Sequence, residues 1–243
     1  MPRFFVPKKE IGSSFLVLTG ENAAHARVLR LKNGDAVTVC DGEGTDYACT
    51  VSDTSNGQVC LVVHRKDVSQ SEPAVACSVY MAFAKADKFE HVIQKATELG
   101  ACELVCFPSA RCVSRPDEKA LAKKLDRWQK IAASAAEQSG RGRIPKVIAL
   151  SSYAQALARA AQAELAVCFY ENEERLTFRA AIETAPFHTA SILTGPEGGF
   201  EPEEIRQAAE AGLKICTLGS RILRCETAPL CALSALMYAT GEF

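Results

Sequence analysis

The sequence predicts an α/β protein: a largely parallel sheet covered by helices on both faces, preceded by a small, mostly antiparallel β-barrel. Three observations carry that reading. Apolar periodicity changes near Pro73, from short β-prone runs split by glycine turns to strand and helix in alternation. Two glycine-marked segments, Leu193-Thr-Gly-Pro-Glu-Gly-Gly-Phe200 and Leu218-Gly-Ser-Arg-Ile-Leu-Arg-Cys-Glu-Thr-Ala-Pro229, each follow a short apolar run. At 243 residues and 48% apolar, the chain can bury one large core or two unequal ones.

Before Pro73, strands are expected at Ala36–Cys40, Tyr47–Val51 and Gln58–Val63, joined by the hairpin signals Asp41-Gly-Glu-Gly44 and Asp53-Thr-Ser-Asn-Gly57. One short helix fits Ala23–Leu31. Beyond Pro73, Val75–Phe83 reads as a strand and Asp87–Leu99 as a helix with Phe89, Val92, Ile93, Ala96 and Leu99 on one face, ended by Gly100. Glu103–Phe107 is a strand. Asp117–Gln138 is the longest helix, with Leu121, Leu125, Trp128, Ile131 and Ala135 as its apolar stripe. Strands at Lys146–Leu150 and Leu165–Tyr170 alternate with helices at Tyr153–Ala163 and Glu173–Ile182. After the first glycine segment, Glu201-Pro-Glu-Glu204 opens a helix with proline near its first position and acids in its first turn. After the second, Thr227 is the expected N-cap of a closing helix that buries Leu230, Leu233, Leu236 and Met237. The expected domains are residues 1–72 and 73–243.

Composition narrows the class. The net charge of −1 rules out a polycation, and no apolar run approaches the ~20 residues of a membrane span. Eleven cysteines show no C-x-x-C pair and no zinc-type spacing, so they read as reduced, mostly buried thiols of a cytoplasmic protein with no metal site.

Both glycine segments leave the carboxyl ends of expected strands, where open α/β sheets bind ligands. Glycine lets main-chain groups approach a ligand without a Cβ in the way, which suits a nucleoside held by backbone contacts. Neither segment matches G-x-G-x-x-G or G-x-x-x-x-G-K-[ST], which counts against a dinucleotide or nucleoside triphosphate.

Gly195-Pro-Glu-Gly-Gly-Phe200 followed by Leu218-Gly-Ser-Arg-Ile-Leu-Arg-Cys-Glu-Thr-Ala228 resembles the signature of the RsmE family, SPOUT-class methyltransferases acting on N3 of a uridine in small-subunit ribosomal RNA. Arg3-Phe-Phe5, His25-Ala-Arg-Val-Leu-Arg30, Gln94-Lys-Ala-Thr-Glu-Leu-Gly100, Arg127-Trp and Glu137-Gln-Ser-Gly-Arg141 extend the resemblance along the chain. Cys225 stands where many relatives have threonine. The resemblance implies a PUA-like barrel, a SPOUT-like sheet with a C-terminal trefoil knot, S-adenosyl-L-methionine as methyl donor, a homodimer, and 16S ribosomal RNA within the small subunit as partner. It also implies a cofactor pocket built from the main chain around Leu193, Thr194, Gly195, Leu218, Gly219, Ile222, Leu223 and Arg224, with Gly199 keeping the loop open. Periodicity reveals no knot, since knots are essentially absent from ordinary folds.

Neutral uridine carries a proton on N3, so methylation requires that the proton leave and the ring edge line up with the donor methyl. Glu197 and Glu226 are candidate general bases if burial raises their pKa. Glu197 is equally suited to cap its own glycine turn, and Glu226 to pair with Arg224 or Arg221. Arg221 and Arg224 are candidate electrostatic helpers for a developing uridine anion, or partners for a carboxylate or phosphate.

From Arg111 to Lys146 ten basic residues face four acids, a local excess in a neutral chain. Arg111, Lys124 and Arg141 are the RNA candidates there, and Arg3, Arg27, Arg30 and Lys32 in the first domain. A solvated helix face is the plainer reading of such a run. His25 and His91 read as packing residues. Two rivals stand beside the resemblance: a non-catalytic RNA-binding ribosome-assembly factor, and a methyltransferase of the same fold acting on another RNA position.

Overall fold

In a computed structural model of the protein, every residue except Asn56 and Ala86 is described; Asn56 of the expected 53–57 hairpin lies outside the described residues. The chain divides into two compact units, Met1–Glu72 with Ala136–Ile144, and Pro73–Ala135 with Pro145–Phe243.

In the first unit, β1 (Arg3–Phe5), β2 (Phe15–Leu18), β3 (Ala36–Cys40), β4 (Thr45–Asp53) and β5 (Val59–Val68) form a sheet in the order β1-β3-β4-β5-β2. All pairings are antiparallel except β1 with β3. Alternate residues point inward, so Leu16, Leu18, Val37, Val39, Tyr47, Cys49, Val51 and Leu61 meet in one core closed by Phe4 and by Ala26 of α1 (Gly20–Val28). The β3–β4 turn is set by Asp41, whose Oδ1 accepts from the Glu43 and Thr45 amides at 2.8 and 3.0 Å. Gly42 and Gly44 supply its positive φ of 74° and 99°.

Residues 136–144 belong to this unit although the sequence reading kept them in the second domain. The reason is a set of pairings remote in sequence. Gly142 O accepts from the Gly44 amide at 3.0 Å, and Glu72 accepts from the Gly142 amide at 2.9 Å. A Cβ on Gly142 would overlap Ser69.

The second unit carries a wholly parallel sheet. Its strands are β6 (Ala76–Ala82), β7 (Glu103–Phe107), β8 (Lys146–Ala149), β9 (Leu165–Phe169), β10 (Thr189–Thr194) and β11 (Lys214–Cys216), in the order β11-β9-β10-β6-β7-β8. Consecutive residues of β7, β9 and β10 are buried, which requires cover on both faces. That cover comes from α2 (Lys88–Glu98), α3 (Glu118–Ser139), α4 (Tyr153–Ala160), α5 (Phe178–Ile182), α6 (Pro202–Glu210) and α7 (Thr227–Ala239). The Phe89 and Trp128 rings meet edge to face at 4.9 Å, joining α2 to α3.

Several helix boundaries differ from expectation, among them α1, which begins at Gly20, and α4, which ends at Ala160. α5 starts at Phe178, not near Glu173, because Glu173 accepts from the Arg175 amide at 2.6 Å, closing a turn, and Thr177 then caps the helix. Thr227 is the first residue of α7, with Glu226 in the capping position. α1 stops at Val28, since Arg30 takes φ 56° and the Leu31 amide returns to Ala26 O at 3.2 Å.

Candidate functional site

The carboxyl ends of β9, β10 and β11 lie side by side, and the loop leaving each one lines a single open cleft of about 990 Å³. That volume suits a nucleoside-sized ligand. The 195–201 and 217–226 loops are the two glycine segments; the third, 170–177 after β9, has no motif to announce it. Thr194, Gly195, Gly199, Leu218, Gly219, Ile222, Leu223 and Arg224 all line the cleft, as the cofactor reading expects. Leu193 does not: it is wholly buried in β10. Phe169, Tyr170, Glu171 and Lys88 line it as well, and sequence reasoning missed them.

Glycine is required where the loops are tightest. Gly199 has φ 66°, and a Cβ there would overlap the Glu171 carboxylate. Gly195 packs against Gly199 and the buried Phe200, where a Cβ would lie 3.2 Å from Gly199 C. Gly219, at φ 104°, has open space around it. Main chain is thus bare at both glycine loops, and the half-buried Leu223 beside the exposed Ile222 offers an apolar wall.

Arg111 secures the first loop from outside. Its guanidinium donates to both Glu201 oxygens at 2.8 and 3.1 Å and to Gly198 O at 2.8 Å. Glu204, 7% exposed, accepts from the Ala110 amide at 2.8 Å and the Glu201 amide at 2.9 Å, fixing the start of α6.

The two loop carboxylates converge on one ammonium. Lys88 Nζ stands 3.3 Å from Glu197 Oε1 and 3.2 Å from Glu226 Oε2. Glu197 also accepts from the Lys85 amide at 2.9 Å and from its own backbone amide, so it caps a neighbouring segment as well as its own turn. Glu226 pairs with Lys88 and accepts from the Cys225 thiol at 3.2 Å; neither Arg221 nor Arg224 is its partner. Partial burial raises the pKa of both carboxyls, but the hydrogen bonds and the Lys88 charge outweigh it and hold both below the ordinary range. The raised pKa expected of a general base is therefore found at neither. Burial, with Glu226 beside it, pushes the Cys225 thiol up to about 11.

Arg221 and Arg224 stand exposed at the cleft, and among the described residues no ion pair or hydrogen bond engages either guanidinium. They are the free cations of the site.

The basic residues expected at RNA divide by environment. Arg3 is bound bidentately by Asp46 at 2.5 and 2.8 Å. Arg141, 3% exposed, donates to Glu72 at 2.6 Å, so the RNA contact expected of it is closed to it. Arg111 is spent on the glycine loop, and the Lys124 ammonium lies 5.7 Å from the Trp128 ring centroid. In the first unit Arg27, Arg30 and Lys32 are exposed; Arg30 is the one non-glycine residue with positive φ among the described residues. On α3, Lys119, Lys123 and Lys130 are exposed along one helix face. His25 Nδ1 meets Glu137 Oε1 at 3.0 Å and its ring packs edge-on to Phe4, as a packing residue would.

Among the described residues no cluster of three or more His, Cys, Asp or Glu side chains could hold a metal ion, and the eleven cysteines are free thiols. No helix among the described residues is long and apolar enough to cross a membrane.

Comparison with known proteins gives these features a context. Residues 71–237 match the family model described as an RNA methyltransferase domain, and residues 18–63 match that of an RNA methyltransferase PUA domain. The ribosomal RNA small subunit methyltransferase E of Bacillus subtilis is 37% identical, over 99% of this chain and 97% of its own. That of Mesomycoplasma hyopneumoniae is 34% identical, over 95% and 96%. The crystal structure of the Neisseria gonorrhoeae ribosomal RNA small subunit methyltransferase E bound to S-adenosyl methionine superposes with a TM-score of 0.89 at 30% identity, covering 100% of this chain and 99% of that one.

Proposed function

The chain belongs to the RNA methyltransferase family that includes the ribosomal RNA small subunit methyltransferases E, and from that premise we propose that it methylates N3 of a uridine in 16S ribosomal RNA, using S-adenosyl-L-methionine. The observation that carries the reading is the cleft at the ends of β9, β10 and β11, where two glycine loops present bare main chain and two arginines stand unpaired.

The residues present fit the cofactor. Backbone at Thr194, Gly195, Leu218 and Gly219 would meet the nucleoside, Ile222 and Leu223 would cover the adenine, and Gly199 keeps the loop low enough for the ligand to enter. When bound, S-adenosyl-L-methionine supplies an activated methyl group on a sulfonium. The protein's own part is to orient the uridine edge, and near-attack positioning of this kind supplies up to about 7–11 kcal/mol. Arg221 and Arg224 favour the deprotonated imide by facing O2 or O4, and Glu197 and Glu226, ionised and bound to Lys88, brace the two loops.

RNA approaches along Arg27, Arg30 and Lys32 of the first unit and along Lys119, Lys123 and Lys130 of α3. The protein works as a cytoplasmic homodimer on the small ribosomal subunit, with the 217–226 loop and α7 forming the trefoil knot. The return of α7 from the edge strand β11 to pack on β10, β6 and α2 supports that threading. Titration calorimetry with S-adenosyl-L-methionine tests the reading: one cofactor per chain is expected, and no binding would favour a non-catalytic assembly factor.

A further inference from the structure

Lys88 opens α2, carries no motif, and touches both glycine segments. Its ammonium lies 3.3 Å from Glu197 of the first loop, 3.2 Å from Glu226 at the end of the second and 3.6 Å from Cys225. The Lys85 amide, three residues earlier, donates to the same Glu197 carboxylate at 2.9 Å. Three segments remote in sequence therefore meet at one charge, and Lys88 itself lines the cleft.

The charges make this more than a brace. Glu197 lines the cleft with Glu171, Glu173 and Glu174, and Glu226 stands beside the lining residues Lys88 and Cys225, so Glu197 and Glu226 add two negative charges near where a uridine anion is to form. Both repel that anion, and like charges close together also repel each other. Lys88 cancels one of them and holds both in fixed positions. Arg221 and Arg224, exposed and unpaired, are then left to face the substrate.

We propose that Lys88 is a positioning residue that joins the two glycine loops and sets the charge of the cleft for an anionic acceptor. The inference rests on the methyltransferase reading above and adds to it a residue that orders the loops and controls their field.

Removing the cation, and then a carboxylate with it, tests the proposal. In Lys88→Met the methyl-transfer rate in single turnover should fall by roughly tenfold to a hundredfold, within the range of coupling between contacting residues. Removing one carboxylate as well, in Lys88→Met/Glu226→Gln or Lys88→Met/Glu197→Gln, should recover at least about a third of the loss on a logarithmic scale, because the uncancelled charge is gone. Lys88→Arg keeps charge and reach and should stay within about tenfold of wild type. Calorimetry with S-adenosyl-L-homocysteine, a readout independent of turnover, should show Lys88→Met weakened and the double variants partly restored. Should Lys88→Met not fold, Lys88→Gln takes its place with the same outcomes.

Wild-type rates in Lys88→Met overturn the proposal. So does a deficit that removal of either carboxylate leaves unchanged or deepens, since a mere structural brace would behave that way. A wild-type protein that binds no cofactor would instead remove the methyltransferase reading, so the two failures are told apart by the wild type alone.

Discussion

Arg111 and Glu201 form a two-pronged ion pair, Nε to Oε1 at 2.8 Å and Nη2 to Oε2 at 3.1 Å, while the remaining nitrogen of Arg111 holds Gly198 O. The pair is solvent-exposed, and its value lies in where it stands: it fixes the outer side of the first glycine loop. Arg111→Ala should therefore weaken cofactor binding by roughly fivefold, the effect of removing one hydrogen bond to the loop. RNA affinity should keep its salt dependence. Calorimetry and filter binding check the two halves.

Arg141 is a buried structural cation. Its side chain is 4% exposed and its partner Glu72 is 17% exposed, and Glu72 also accepts from the Gly142 and Arg143 amides. Removing the cation leaves a carboxylate among groups built around the pair, so Arg141→Ala should destabilise the first unit by about 3 kcal/mol. Urea unfolding measures this. An Arg141→Ala protein as stable as wild type but poor in RNA binding would return Arg141 to the RNA face.

These two arginines mark what the sequence could disclose. Glycine turns at strand ends were legible because only glycine serves positions such as Gly199 and Gly219, and the parallel sheet was legible from short apolar runs alternating with stretches of helical period. A positive charge says nothing about its partner. Arg141 and Glu72 are 69 residues apart, and Arg111 and Glu201 are 90 apart. Lys88 and Glu171 were missed for a related reason: the topology brings them to the cleft from segments with no local signature. The helix expected from Glu173 was shortened by a side chain bonding its own turn, a competition that periodicity does not register.

Lys119, Lys123 and Lys130 share one exposed face of α3. Their combined replacement by glutamine should weaken RNA binding and lower the slope of log affinity against log salt by roughly 0.7–0.9 for each phosphate that is no longer neutralised. Cofactor affinity should not change. An unaltered slope would make this face a solvated surface.

Glu197 and Glu226 both titrate below the ordinary carboxylate range, so their bridges to Lys88 are complete above the unfolded carboxyl pKa of about 4.3 and fail as pH falls through the lower folded values. Cofactor affinity should therefore be flat from about pH 8 to pH 5 and decline only in more acid solution. Carboxyls that ionise this readily are weak bases. Glu197→Gln and Glu226→Gln should each keep single-turnover rates within about tenfold of wild type, with a deficit that higher pH does not shrink. A drop of about 10²–10⁴-fold with recovery at high pH would make that carboxylate the general base.

The central claim concerns one atom of one base, and mass spectrometry of nucleosides reaches it directly. Unmethylated small subunits incubated with the protein and S-adenosyl-L-methionine should yield 3-methyluridine in their 16S ribosomal RNA, about one per subunit, and none when the cofactor is left out. Ribose-methylated nucleosides, another methylated base, or no new nucleoside at all would contradict the account.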